Sequence, residues 1–264
     1  MTQRGLVLLR RCLVILPLAC VASGAALLSS CSSVQRNPLA DEWRPSPNFG
    51  PRLVSLVVLH HTDIANSETA LRTLRDPAQA VSAHYLISRA GRVTQLVEEQ
   101  ERAWHAGHSR WGAITDVNSA SIGIELDNNG KEPFPASQIA SLLKVLEDLR
   151  TRHKLTPLAY VAHADVAPGR KVDPSVLFPW RELAQKGFGL WCDAPLPTPP
   201  ANFDAVLGLQ TLGYDVTLPD AAADAFVLHY QQPQAVDSKG GGVDSVDMAM
   251  LACIVQRARE VTTP

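Results

Sequence analysis

Cysteine is scarce in this chain. Five occur in 264 residues, at positions 12, 20, 31, 192 and 253, and no two form a Cys-x-x-Cys pair, which takes cysteine out of any metal site. Basic runs are also missing. The formal net charge is −2, with no Lys/Arg stripe and no aromatic platform in a basic setting, which excludes nucleic acid as a partner. No internal repeat is present. Long apolar runs are limited to one, residues 13–28, slightly short and Ser/Gly-rich for a membrane span.

That run reads as an address. Arg4, Arg10 and Arg11 precede or flank it, and Leu28-Ser-Ser-Cys31 ends it. A basic segment, an apolar segment and small residues before the break form a secretory signal. A Leu three residues before a Cys resembles a bacterial lipobox, and the resemblance implies cleavage before Cys31 and lipidation of that residue. Cys20 is a weaker candidate because Pro17 stands where Leu is wanted. Ser32, after the cysteine, resembles the sorting pattern for the outer membrane. Loss of the three arginines takes the mature charge to about −5, so the lipid rather than charge would hold the protein on a membrane, facing the periplasm. Cys192 and Cys253 are then left either to pair or to remain separate thiols.

The rest divides as a signal at 1–30, a lipidated cysteine and Pro-dotted tether at 31–52, a first domain at 53–192, a stiff Pro-rich linker at 193–200 and a small helical module at 201–264. Within the first domain, apolar runs predict strands over 53–59, 83–88, 93–97, 121–126 and 159–162. Helical patterns are expected at 66–75, 136–154 and 179–185. One connection, around Arg89-Ala-Gly-Arg92, is a hairpin, so the fold class is α/β with a mixed central sheet flanked by helices. The module shows helical patterns near 203–212, 221–230 and 245–257, with Asn202 and Asp244 as candidate caps.

Chemistry concentrates in two places. Val161-Ala-His-Ala-Asp-Val-Ala-Pro-Gly-Arg-Lys-Val-Asp-Pro174 puts His163, Lys171 and Asp173 on a Pro/Gly loop after a short strand. Leu56-Val-Val-Leu-His-His-Thr62 delivers His60 and His61 at the end of another strand. Two imidazoles and a carboxylate hold Zn²⁺ with a fourth position open to water, as a hydrolytic zinc requires. Adjacent strand residues face opposite sides, so only one of His60 and His61 can enter the site. Asp165 competes with Asp173 for the metal, although it also suits a turn ahead of Pro168-Gly169. Glu125, inside Ser121-Ile-Gly-Ile-Glu-Leu126, is either ion-paired or poised as a general base. Lys171 is either solvated or a cation for a developing oxyanion.

Val58-Leu-His-His-Thr62, Ser121-Ile-Gly-Ile-Glu-Leu126 and the stretch from His163 to Pro174 together resemble the zinc-dependent N-acetylmuramoyl-L-alanine amidases, which share a fold with T7-type lysozyme and the peptidoglycan-recognition proteins. Ala83-His-Tyr-Leu-Ile87, Gly91-Arg-Val-Thr-Gln95 and Ala103-Trp-His-Ala-Gly107 extend the likeness over residues 53–185. With the signal, the anchor cysteine and the helical module, the architecture is similar to that of outer-membrane lipoprotein members of the family. The resemblance implies His60, His163 and Asp173 as zinc ligands, with Asp165 outside the set. It implies Glu125 as general base, Lys171 as catalytic lysine, and His84, His105 and Asn128 near the substrate groove. It further implies cleavage between N-acetylmuramic acid and L-Ala in peptidoglycan or muropeptides. The helical module resembles a peptidoglycan-binding domain more weakly, since Gly240–Gly242 has no counterpart there. Two rivals are a muropeptide-binding protein without catalysis and a zinc peptidase cutting within the stem peptide. The complete ligand set with Glu125 speaks against the first. The lack of a helical His-Glu-x-x-His pair speaks against the commonest form of the second.

Overall fold

The computed structural model describes residues 37–51, 54–64, 66–231 and 240–262, with backbone alone for 49–51. The expected signal and the lipidation site at Cys31 lie outside the described residues. Among the described residues, no helix is long and apolar enough to cross a membrane.

The strands are β1 (Glu42–Trp43), β2 (Phe49–Pro51), β3 (Leu56–His61), β4 (Tyr85–Ile87), β5 (Val93–Gln95), β6 (Glu101–Ala103), β7 (Ser121–Leu126) and β8 (Tyr160–Ala162). Six form one sheet in the order β1-β5-β4-β7-β3-β8, and β2 pairs with β6. β3 lies between β7 and β8, parallel to both, while β4 and β5 make the antiparallel hairpin. The sheet is therefore mixed, as the hairpin signal predicts. β1 and β2 extend the fold upstream of residue 53, into the segment read as tether. Strands of two or three residues leave no period-2 pattern in the sequence to find.

The parallel centre is apolar on both faces. Val57 and Leu59 face the long helix α3 (Ala136–His153), which buries Ile139, Leu142, Val145, Leu146 and Leu149 against the sheet. Each such side chain contributes about 2 kcal/mol by leaving water. Leu56 and Val58, one residue out of phase, pack on the opposite face with Ala106, Val117, Val161 and Val166. That second face continues along β3 to His60. The shorter helices are α1 (Ser67–Arg75), α2 (Val117–Ala120), α4 (His163–Val166) and α5 (Trp180–Gln185).

Beyond residue 193 come α6 (Ala205–Leu212), α7 (Pro219–Tyr230) and α8 (Met248–Thr262). Asn202 and Asp244 do not cap them. Asp204 accepts from Leu207 N at 2.8 Å, and Asp247 from Met250 N at 3.1 Å. In both cases the cap is the acid three residues before the amide it serves. Leu209, Phe226, Leu251 and Ile254 share one apolar core with Leu59, Ile124 and Trp180. Cys192 and Cys253 are joined by a disulfide across 61 residues. Closing a loop of that length restrains the unfolded chain by roughly 4 kcal/mol.

The sheet's far edge is tied to α3 through a buried carboxylate. Glu99 is bonded by Tyr85, by the Arg152 guanidinium (Nη2 at 2.6 Å) and by His153 Nε2 at 2.7 Å. Burial would raise its pKa, but the bonds from Arg152, His153 and Tyr85 outweigh that and hold it at about 2. A folded-state pKa below the unfolded value contributes stability that is present above pH 4.5 and is lost as pH falls toward 2. The full contribution is on the order of 3 kcal/mol. Acid titration of unfolding by circular dichroism is expected to show this slope between pH 5 and 2. In Glu99→Gln the slope flattens while stability at pH 7 is lower; an unchanged slope would assign the acid sensitivity elsewhere.

Candidate metal centre

Three side chains meet at the C-terminal ends of β3 and β8. His60 Nδ1 lies 2.9 Å from His163 Nδ1 and 3.1 Å from Asp173 Oδ2, and His163 Nδ1 lies 3.0 Å from the same oxygen. They are also the group among the described residues whose donor atoms could hold a metal ion. His163 begins α4 directly after β8, and Asp173 is brought back beside it by a bond from Ala164 N to Asp173 O. Ends of parallel strands are where α/β sheets place their sites.

The partners of the two imidazoles fix where their protons sit. His163 Nε2 contacts Ala106 O at 3.3 Å. A carbonyl only accepts, so a neutral ring carries its proton on Nε2 and presents a lone pair at Nδ1. His60 is settled by a longer chain. Ser121 Oγ donates to Val117 O, so it must accept from His105 Nε2, 3.2 Å away. His105 Nδ1 is then an acceptor, and it takes the proton of His60 Nε2 at 3.0 Å. His60 Nδ1 is left with its lone pair facing the site. Burial pushes His60 down to about 4, keeping the ring neutral. With these tautomers two imidazole lone pairs and the Asp173 carboxylate face one another, a donor set that a cation would satisfy, and partners that hold the far nitrogen of each ring orient metal ligands.

β7 runs beside β3 with Glu125 opposite His60. Glu125 lines the same cavity, of about 320 Å³, with His60, His105, His163, Lys171 and Asp173. Its Oε2 is buried with no hydrogen-bond partner. Burial and the charge of Asp173 push the carboxyl up to about 8, against a downward pull from Lys171. Gly123, two residues earlier on the same face, has no room for a side chain: a Cβ there would lie 2.4 Å from His105 Cγ. The glycine of Ser121-Ile-Gly-Ile-Glu125 is thus the seat of the ring that orients His60.

His61 faces the other way and accepts from Ser175 N at 3.1 Å, bracing the loop that carries Asp173. Asp165 is outside the ligand group. It is fully buried, with its carboxylate bonded to Ala162 N, Tyr214 and His229. Two expected groove residues do not reach the cavity. His84 is fully buried, accepting from Gly123 N and meeting Glu101 O. Asn128 is fully buried and shapes a turn by accepting from Gly130 N at 2.7 Å. His84 stands just before β4 and Asn128 just after β7, each with its side chain turned inward. His105 does line the cavity. The sequence reading missed the roles of Ser121, Tyr214 and His229; for Ser121 and His229 the signal was a polar residue within an otherwise apolar strand or helix, and Tyr214, just past the C-cap of α6, offered none.

A two-His, one-carboxylate group beside a buried carboxylate oxygen without a partner and a lysine has the donor set of a metal-dependent hydrolase centre. A profile of the N-acetylmuramoyl-L-alanine amidases matches residues 50–176. The amidase AmiD of Escherichia coli is 36% identical over 226 residues, 74% of this chain and 81% of AmiD. The 1,6-anhydro-N-acetylmuramyl-L-alanine amidase AmpD of Haemophilus influenzae is 33% identical over 172 residues, 58% of this chain and 90% of AmpD. Among solved structures, E. coli AmiD in complex with anhydro-N-acetylmuramic acid-L-Ala-D-gamma-Glu-L-Lys superposes with a TM-score of 0.66 at 34% identity, covering 82% of this chain and 92% of that one. AmpDh3 of Pseudomonas aeruginosa, in complex with anhydromuramic pentapeptide, gives 0.67 at 26% identity, covering 88% and 99%. The chain belongs to the N-acetylmuramoyl-L-alanine amidase family.

Metal analysis of purified protein is expected to lose the ion entirely in Asp173→Ala. In His105→Phe, which keeps the ring but not the acceptor for His60, affinity is expected to fall about ten- to a hundredfold. Unchanged affinity in His105→Phe would remove the ring from the orienting chain.

Proposed function

We propose that the protein is a zinc enzyme that hydrolyses the amide bond between the lactyl group of N-acetylmuramic acid and the L-Ala of the stem peptide, in peptidoglycan or in muropeptides. One observation carries this reading: the donor atoms of His60, His163 and Asp173 converge at a cavity that is also lined by Glu125, whose buried Oε2 has no hydrogen-bond partner. The two relatives crystallised with anhydromuramyl peptides support the substrate class.

Zn²⁺ held by the three ligands would polarise the scissile carbonyl and acidify a water. Glu125, as the carboxylate, takes a proton from the attacking water as the new C–O bond forms. It then hands that proton to the L-Ala nitrogen as the C–N bond breaks, so the leaving group departs as a neutral amine. Lys171, whose charge already reaches Glu125 and His60, faces the carbonyl oxygen as it gains negative charge. Export and anchoring by a lipid on Cys31, with the enzyme facing the periplasm from the outer membrane, accord with the Cys192–Cys253 disulfide, a bond that persists in oxidising compartments.

Glu125→Gln is expected to keep its metal and lose at least a hundredfold in turnover, about the general-base contribution. In the unaltered enzyme, kcat/KM rises with pH as the Glu125 carboxylate fills, over a limb below pH 8 because a bound cation draws its pKa down. That limb should vanish from the residual rate of the variant. Mass spectrometry of a defined muropeptide is the direct test. Free stem peptide and intact amino sugar, abolished by a chelator and restored by zinc, establish the amidase. Cuts inside the peptide would replace it with a peptidase, and an intact but bound muropeptide with a binding protein.

A further inference from the structure

Asp165 follows the ligand His163 by two residues, yet its bonds lead away from the metal. Oδ2 accepts from Ala162 N at 2.7 Å, closing the first turn of α4 beneath His163. The remaining bonds come from the helical region. Tyr214, just after α6, donates from its hydroxyl to Oδ1 at 2.8 Å, and His229 of α7 lies with Nδ1 2.7 Å from Oδ2. All three side chains are buried. His229 is sandwiched, its ring 3.8 Å from Trp180 and 4.0 Å from Tyr230, and its Nε2 has no partner. The one polar task of that ring is the bond to Asp165, which fixes the proton on Nδ1. The helical region meets the ligand loop once more, and a separate loop once. A Cβ on Gly169, at φ +72, would lie 3.1 Å from Ala221 Cβ of α7, and Gly112 N donates to Gly213 O at 2.7 Å.

We infer that Tyr214 and His229 are positioning residues for the metal centre: through Asp165 they hold the start of α4, and so set His163. The C-terminal helices are thereby part of the amidase site. The geometry explains why a carboxylate stands at 165 without ligating. A fully buried carboxylate with three donors is rigid, and removing one donor leaves its charge under-solvated, so the turn it caps relaxes. His60 takes its support from the sheet and from His105, whereas Asp173 is bonded through its carbonyl to Ala164 N of the same turn, so the loss falls on His163 first and on Asp173 through that bond.

The inference rests on the zinc reading, and the test separates the two. In the full-length protein, zinc affinity is measured by chelator competition and the Co²⁺-substituted absorption spectrum is recorded, alongside thermal melting. Tyr214→Phe and His229→Leu are expected to bind zinc about tenfold more weakly, the lower end for an outer-shell partner, with a shifted Co²⁺ spectrum. His229→Asn, which returns an N–H close to the Nδ1 position, should restore both, a rescue that bulk packing would not produce. Tyr214→Phe removes a single oxygen and keeps the ring, so it guards against misfolding of the other variant. Wild-type affinity and spectrum in both Tyr214→Phe and His229→Leu would overturn the inference and leave the bonds as glue between helices. If the unaltered protein binds no zinc, the metal reading falls, and this inference with it.

Discussion

Three electron-pair donors held within 3.1 Å of one another, with the ring proton of each imidazole directed to an acceptor on its far side, are the constraint that the surrounding structure serves. Left to themselves they would repel or capture protons, and burial makes either costly. The fold prevents both. The parallel register of β3 and β7 sets His60 beside Glu125. β8 ends one residue before His163. The bond from Ala164 N to Asp173 O returns the loop to the same point. The proton on each ring is then assigned by an acceptor with no alternative, Ala106 O for His163 and the His105–Ser121–Val117 chain for His60.

That account gives physical content to the motif residues. Ser121, Gly123 and Glu125 occupy one face of β7 at alternate positions, and they carry out three linked tasks. Ser121 anchors the relay, Gly123 makes room for the His105 ring, and Glu125 opens into the cavity. Ile122, Ile124 and Leu126, between them, fill the core on the other face. A strand buried on both sides reads as a continuous apolar run, and here the polar exceptions mark the chemistry.

The sequence makes the centre of the fold legible because its signals are long and local. β7 spans 121–126 as the apolar run predicts, and α3 ends at His153, one residue short of expectation. His60, His163, Asp173, Glu125 and Lys171 meet at one cavity because each ends or follows a strand of the parallel core. What stayed hidden depends on partners far away in sequence. His84 and Asn128 look like groove residues until Gly123 N and Gly130 N are seen to claim them. Asp165 looks like a turn former, yet its partners lie 49 and 64 residues downstream. Cys192 and Cys253 left the choice between pairing and separation open, since spacing carries no distance.

The distribution of support among the ligands shapes what the C-terminal helices can do. His60 is fixed by the sheet and by His105, and Asp173 by the closure of its own loop with help from His61 and Ser175. His163 sits on a turn whose capping carboxylate is held by Tyr214 and His229, and Ala164 of that turn also bonds Asp173 O. Disturbance in the helical region therefore reaches the centre through this turn while His60 keeps its own support, and it should weaken the site by degrees rather than dismantle it. The disulfide adds a second restraint of a different kind, since it ties α8 to the chain just after α5. It limits how far those helices can depart without touching any group at the metal. A region that could have been joined to the catalytic sheet by a linker alone is instead bonded to it at the point where the chemistry needs rigidity.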